Sequence, residues 1–395
     1  MDFKSPLLHY RVMKVAQKLI LTIAVLSLML PVLVFSEDSD AVEKSGKCGD
    51  DLTWSFDEST GILTISGTGE MYELSPSPFA FDDSIKVIVI GAGATSISDF
   101  VFSNCTSLTS VDIPDTVTSI GMGAFSGCSS LTSISIPDSV SVIGSYVFEV
   151  CSSLTSITIP SSVTSIGRYP FSGCTSLENI DVDAKNITYS SVNGVLFDKD
   201  ITELVCYPAG HGGETYAIPN SITSIIDGAF DKCSSLTSIT IPDSVSSIGE
   251  FAFSDCTSLK SISIPDSVKF IGSDAFEGCS SLTSIAIPNS ILSIGEFAFR
   301  DCTSLTSIDV GNCSGISPDA FPDHKFYKED GITEIEIGSN EFVGHKFKGD
   351  SISDMIRSDD PVPKSDNDRT VLIAVAVAII IVLISGAYWF VRHKH

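Results

Sequence analysis

The chain has 395 residues, 23 Lys plus Arg against 49 Asp plus Glu, and a formal net charge of -26. A surface this acidic repels phosphate backbones, which argues against nucleic acid as a partner. Leu, Ile, Val and Phe recur at fixed positions, which argues against a disordered chain.

At the N-terminus, Lys4, Arg11, Lys14 and Lys18 precede the apolar run 19–35, and Val34 and Ser36 are small enough for a signal-peptidase site. Residues 1–36 therefore read as a signal peptide cleaved after Ser36, with an uncleaved signal anchor as the alternative. Residues 37–84 read as a β-rich N-terminal cap.

A repeat of 23 residues then takes over, from 85 to 310. It is marked by Cys105, Cys128, Cys151 and Cys174 and, after an interruption, by Cys233, Cys256, Cys279 and Cys302. A fixed period of this size is the mark of a solenoid, in which stacked units supply each other's core. In "LTSISIPDSVSVIGSYVFEVCSS" (131–153), Leu131, Ile134 and Ile136 have L-x-x-L-x-L spacing, with Ser133 and Ser135 alternating outward as on a strand. Pro137 should end that strand, because it has no N–H for a further ladder bond. Val140, Ile143 and Phe148 follow with irregular spacing, suited to a turn or short helical return.

The pattern L-x-x-I-x-I-P-x-S-V-x-x-I-G-x-x-A-F-x-x-C-x-S, in 108–176 and 236–304, resembles the BspA-like, or Treponema pallidum type, leucine-rich repeats. The segments 48–71 and 187–210 are also similar to pieces found in such proteins. The resemblance implies an α/β-type leucine-rich repeat solenoid with one parallel β-sheet and short irregular or helical returns. It also implies a cell-surface role in adhesion to host cells or matrix proteins, without naming a ligand.

Residues 177–216 leave the period, since Cys174 and Cys233 are 59 apart. This stretch reads as a spacer or as a protruding binding loop. The eight ladder cysteines read as buried, reduced small hydrophobes, because parallel side chains on coils about 4.8 Å apart are poorly placed for disulfides. Cys48, Cys206 and Cys313 fall outside the ladder, and a Cys302–Cys313 bridge at the C-terminal cap is an open alternative. Asp115, Asp138, Asp243 and Asp266 follow the strand-ending prolines. Calcium between them is conceivable chemistry, but Pro-Asp is ordinary turn chemistry. No cofactor or metal is expected.

The outward strand positions form the candidate binding face: Ser110, Asp112, Ser133, Ser135, Ser156, Thr158, Ser238, Thr240, Ser261, Ser263 and Ser284, with Asn179, Asp181, Ala286, Ser307 and Asp309 in register. Sequons at Asn104, Asn186 and Asn312 are candidate glycosylation sites in a eukaryotic source, with Asn186 preferred because its middle residue is not cysteine. No H-E-x-x-H, G-x-S-x-G or Walker loop occurs, so no enzyme is expected.

Toward the C-terminus, 311–349 reads as a cap and 350–370 as an acidic stalk. Residues 371–391 are uncharged, long enough as a helix to cross roughly 30 Å of bilayer, and carry Tyr388 and Trp389 at one end. The basic residues 392–395 then place the N-terminal bulk outside the cell, as a single-pass protein of the plasma membrane. Its expected partners are extracellular proteins or glycans, host or matrix components among them. Two functions are consistent with this: an adhesin-like recognition module binding through many contacts, or a structural or antigenic coat without a specific ligand.

Overall fold

The computed structural model describes residues 44–310 and, beyond them, 315–317, 319–322, 326–327, 334–335 and 346–348. The signal-peptide, stalk, transmembrane and tail assignments, with Asn312 and Cys313, lie outside the described residues. Among the described residues no helix is long and apolar enough to cross a membrane.

Lys44–Lys47, Asp51–Asp57 and Ile62–Thr68 form an antiparallel cap, and Ile62–Thr68 then pairs in parallel with Val87–Ile90. From there the coils, with one exception, add one short strand each to a first ladder, as in Ser238–Thr240 on Ser261–Ser263. Lys44 and Lys47 sit on the outermost strand, and charges there discourage a further chain from pairing with the exposed edge.

The expected single parallel sheet with short irregular or helical returns is corrected in its sheet count, and of the two kinds of return the chain takes the irregular one. Each coil contributes to a second parallel ladder, built of two-residue strands such as Ser119–Ile120 on Val142–Ile143. No helix forms among the described residues. The return is a chain of tight turns in which Ser126 N–H donates to Gly123 O and Cys128 N–H to Phe125 O. A left-handed residue recurs every fourth position, at Gly123 and Gly127 and at Tyr146 and Val150, and each breaks right-handed helix propagation.

These turns make a third set of bonds between coils. Gly123, Phe125 and Gly127 N–H donate to Ser145, Val147 and Glu149 O, at 2.8, 3.0 and 2.7 Å. On this face the donors belong to the earlier coil and the acceptors to the later one.

The first ladder is interrupted at the coil that spells the repeat most clearly. Leu131, Ile134 and Ile136 are buried, yet 132–136 forms no strand between Ser110–Asp112 and Ser156–Ile159. Residue type does not explain this, because Ser261–Ser263 has the same S-I-S and pairs at all three residues with Ser238–Thr240.

The stretch 177–216 lies inside the solenoid as a meander within the stack. Tyr189–Val192 turns at Asn193-Gly194 into Val195–Asp198, which pairs with Glu203–Cys206, and the last strand joins the second ladder beside Ser224–Ile225. Both turn residues have positive φ, the geometry of a two-residue hairpin that matches strand twist. The meander divides the core. Leu196, Val205 and Cys206 pack with the N-terminal coils, whereas Val195, Phe197, Leu204 and Tyr207 pack with the C-terminal ones.

Candidate functional site

Three columns of side chains hold the coils in register, two inside the solenoid and one half-buried at its turns. The first is aromatic: Phe102, Phe125, Phe148 and Phe171 stack with centroids 5.7 to 6.0 Å apart, and Phe230, Phe253, Phe276 and Phe299 at 5.1 to 5.2 Å. Phe79 and Tyr207 begin the two stacks. Sequence reasoning saw an apolar Phe148 but missed the column, although a Phe three residues before each ladder cysteine was its signal.

The second column is the cysteines. Cys105, Cys128, Cys151, Cys174, Cys233, Cys256 and Cys279 are buried and reduced, with no disulfide among them. They do more than fill space, for each thiol points at a carbonyl 26 residues earlier. Cys128 Sγ lies 3.2 Å from Phe102 O, Cys256 Sγ 3.2 Å from Phe230 O, and Cys302 Sγ 3.2 Å from Phe276 O. Burial pushes the Cys105 thiol up to about 12 and drives Cys151 and Cys256 well above their ordinary range, so none is a nucleophile. Cys206, placed outside the ladder by its spacing, is buried on the strand Glu203–Cys206 with the N-terminal coils, and its thiol helps to raise those of Cys174 and Cys233.

The third column is the serine of P-x-S-V. Ser139, Ser162 and Ser244 hydroxyls donate to Val117, Val140 and Ile222 O of the preceding coil, each at 2.6 Å. The neighbouring Asp115, Asp138, Asp243 and Asp266 are exposed at the turn. Among the described residues no group of three His, Cys, Asp or Glu side chains converges in a way that could hold a metal ion.

The predicted strand face is exposed at Asp112, Ser133, Ser135, Ser156, Thr240, Ser261, Ser263 and Ser284 and half-buried at Ser110, Thr158 and Ser238. Strand pairing aligns Ser238, Ser261 and Ser284 in one row and Thr240 with Ser263 in the next. Ser156 and Thr158 align with Asn179 and Asp181 on a separate two-stranded sheet. Ser133 and Ser135 lie on the coil without a strand. The face is therefore two rows of small polar groups, not one unbroken sheet.

Asn186 overturns its assignment as the preferred glycan site. It is buried, its Nδ2 donates to Pro160 O and Val163 O at 2.8 and 3.0 Å, and its Oδ1 accepts from Thr188 and Tyr189 N–H. Both amide hydrogens are committed inside the fold, leaving none for a sugar. Asn104 is half-buried and left-handed, one of the turn-face residues.

That turn face carries chemistry the sequence reading passed over. Its left-handed positions form two columns, one running Phe100, Gly123, Tyr146, Tyr169, Gly228, Phe251, Asp274, Phe297. Tyr146 stacks on Tyr169 at 5.2 Å, and Tyr169 meets Phe251 edge-on at 6.0 Å across the meander. Carboxylates flank the rings. Arg168 pairs with Asp227 at 3.0 Å, and Lys232 with Asp255 at 2.9 Å. Arg300 Nε donates to Glu277 Oε1 at 2.9 Å, and its guanidinium lies 3.2 Å from Asp274 Oδ1 and 4.8 Å from the Phe297 ring centre. Burial, with Glu277 close by, raises the Asp274 carboxyl above its usual range.

Comparison with known proteins gives a consistent outcome. The BspA type leucine rich repeat region matches residues 73–196 and 212–328, in six copies. A leucine-rich repeat protein from Eubacterium ventriosum is 28% identical, with 70% of this chain and 86% of that one covered at a TM-score of 0.55. The pneumococcal vaccine antigen PcpA shares the fold at 22% identity and a TM-score of 0.52, over 70% of this chain and 82% of its own. No curated protein matches the chain. No catalytic family is indicated, and with its family match covering well over half its length the chain belongs to the BspA type leucine-rich repeat proteins.

Proposed function

We propose that this chain is a cell-surface recognition module that binds extracellular proteins or glycans, host or matrix components among them, through many weak contacts along its solenoid. In this reading residues 371–391 anchor it and the repeats stand outside the cell. The observation that carries the reading is register: strand pairing sets Ser238, Ser261 and Ser284 in one row, so the same polar group is offered coil after coil. Small hydroxyls are poor single hot spots, which are usually Trp, Tyr or Arg. Repetition on a rigid rod instead raises the effective concentration of each further contact.

The test uses beads carrying the full chain in lipid, offered to epithelial cells and immobilised matrix proteins. The reading expects saturable attachment that the free full chain competes for and that Ser261→Trp with Ser263→Glu weakens. Attachment no greater than that of an unrelated acidic solenoid would leave a structural or antigenic coat as the function. Adhesion resting on long-range charge should also fall as salt rises.

A further inference from the structure

The left-handed column of the turn face has an unusual occupancy. Positive φ is cheap for Gly and tolerable for Asn or Asp, and costly for bulky side chains. Yet five of the six non-glycine residues in this column are aromatic: Phe100, Tyr146, Tyr169, Phe251 and Phe297. Packing accounts for part of this. Phe100 and Tyr169 rings lie so close over Gly123 and Gly228 that a Cβ on either glycine would meet ring carbons at 2.3 and 2.5 Å. It does not account for the surface left open, for Phe100 is 44% exposed, and Phe81 in the adjoining left-handed column is 75% exposed.

The chain itself shows what such a ring can hold. At the last coils Arg300 sits over Phe297 and reaches Asp274 and Glu277, so one guanidinium is shared by a ring and two carboxylates. Phe100 follows Asp99 and Phe251 follows Glu250 in the chain, so a carboxylate adjoins each ring in sequence, with Asp99 Oδ1 also accepting from Met122 N–H at 2.7 Å. Among the described residues no lysine or arginine of the chain forms an ion pair with Asp99 or Glu250.

We propose that the turn face, at Phe100 with Asp99 and at Phe251 with Glu250, is a docking surface for an arginine-bearing polypeptide segment of a partner protein. Guanidinium planes stack on aromatic faces and hydrogen-bond to carboxylates, a combination that the Arg300 cluster already makes in cis. Charge complementarity fixes the sign of the occupant, because a second copy of a chain of net charge -26 would be repelled. The inference rests on the reading of the solenoid as a binding module, and it names a second surface and the chemistry of its ligand.

The experiment measures binding of a short Arg-Gly-Ser repeat peptide to the full chain in lipid nanodiscs at physiological salt. Lys-for-Arg and Glu-for-Arg counterparts and a neutral oligosaccharide serve as comparisons. Phe100→Gly and Phe251→Gly remove the rings while suiting the left-handed backbone, so the thermal midpoint should hold or rise, and Glu250→Gln removes charge alone. The expected result is saturable binding of the Arg peptide, weaker binding of the Lys peptide, and none of the Glu peptide or the sugar. The two ring variants combined should weaken Arg-peptide binding by roughly fivefold or more, and Glu250→Gln should weaken it as well. Binding that ignores the rings, equal binding of Arg and Lys peptides, or preference for the oligosaccharide would overturn the proposal. Matrix attachment that persists without peptide binding would sink this inference alone, whereas peptide binding without any attachment would sink the adhesive reading alone.

Discussion

The thiol of Cys151 donates to the carbonyl oxygen of Phe125, one coil earlier, at 3.2 Å. The same bond recurs from Cys105 on Phe79 to Cys302 on Phe276, so the cysteine of this repeat is a hydrogen-bond donor as well as a filler. Phe125 O also accepts from Cys128 N–H within its own turn, so the thiol is a second donor that ties this carbonyl to the next coil.

Protection of these thiols is the first consequence. A thiol reagent applied at about pH 8 should leave Cys128, Cys151, Cys256 and Cys279 unlabelled in the folded chain and label them in urea. Rapid labelling under native conditions would show that the column is open. Cys256→Ala should cost about 1–3 kcal/mol in urea unfolding, because it removes one of the two donors to the Phe230 carbonyl and leaves a small gap.

Alkaline instability is the second. Burial raises Cys105 and Cys206 from an ordinary 9.0 to about 12 in the folded state. A folded-state value above the unfolded one means the folded chain binds more protons in that range, so stability falls as pH rises. The contribution is whole below about pH 9 and is lost progressively toward about pH 12. Urea midpoints taken across this window should drop and, for a chain with the buried cysteines replaced by alanine, drop less.

The aromatic column gives a contrast within one residue type. Phe253→Ala removes a fully buried ring stacked on both sides and should cost about 3–5 kcal/mol. Phe270 is 50% exposed on the second ladder, and Phe270→Ala should lie within about 0.5 kcal/mol of the parent. Thermal or urea unfolding of the two variants checks the difference.

Asn186 is predicted to be structural. Asn186→Ala would strip two donated and two accepted bonds from the start of the meander and should destabilise by about 2–4 kcal/mol. Mass spectrometry of the chain secreted from a glycosylating host should find Asn186 bare. A glycan there in folded protein would contradict the geometry.

Much of this was legible because the signals repeat. The 23-residue period gave the solenoid, the spacing of Leu131, Ile134 and Ile136 gave the buried side of the first ladder, and the prolines marked where strands such as Ser156–Ile159 and Ser284–Ile287 end. The second ladder was hidden because strands of two residues, such as Ser119–Ile120, are too short to show alternation. The burial of Cys206 was hidden because it lies in the meander, where the period gives no guide. Asn186 was misread because nothing in a sequon reports whether the amide is spent inside the fold. The turn-face aromatics were hidden because left-handed backbone is usually announced by Gly or Asn, and at Phe251 or Tyr146 it is imposed by the stack.

The central claim is that this solenoid binds partners by repetition, and its most direct measurement is attachment of beads to immobilised matrix proteins as the surface density of the full chain is varied. The account predicts attachment that rises more steeply than density, saturates, and is competed away by free chain. Attachment that only tracks density, or that matches an unrelated acidic solenoid at every density, would contradict it.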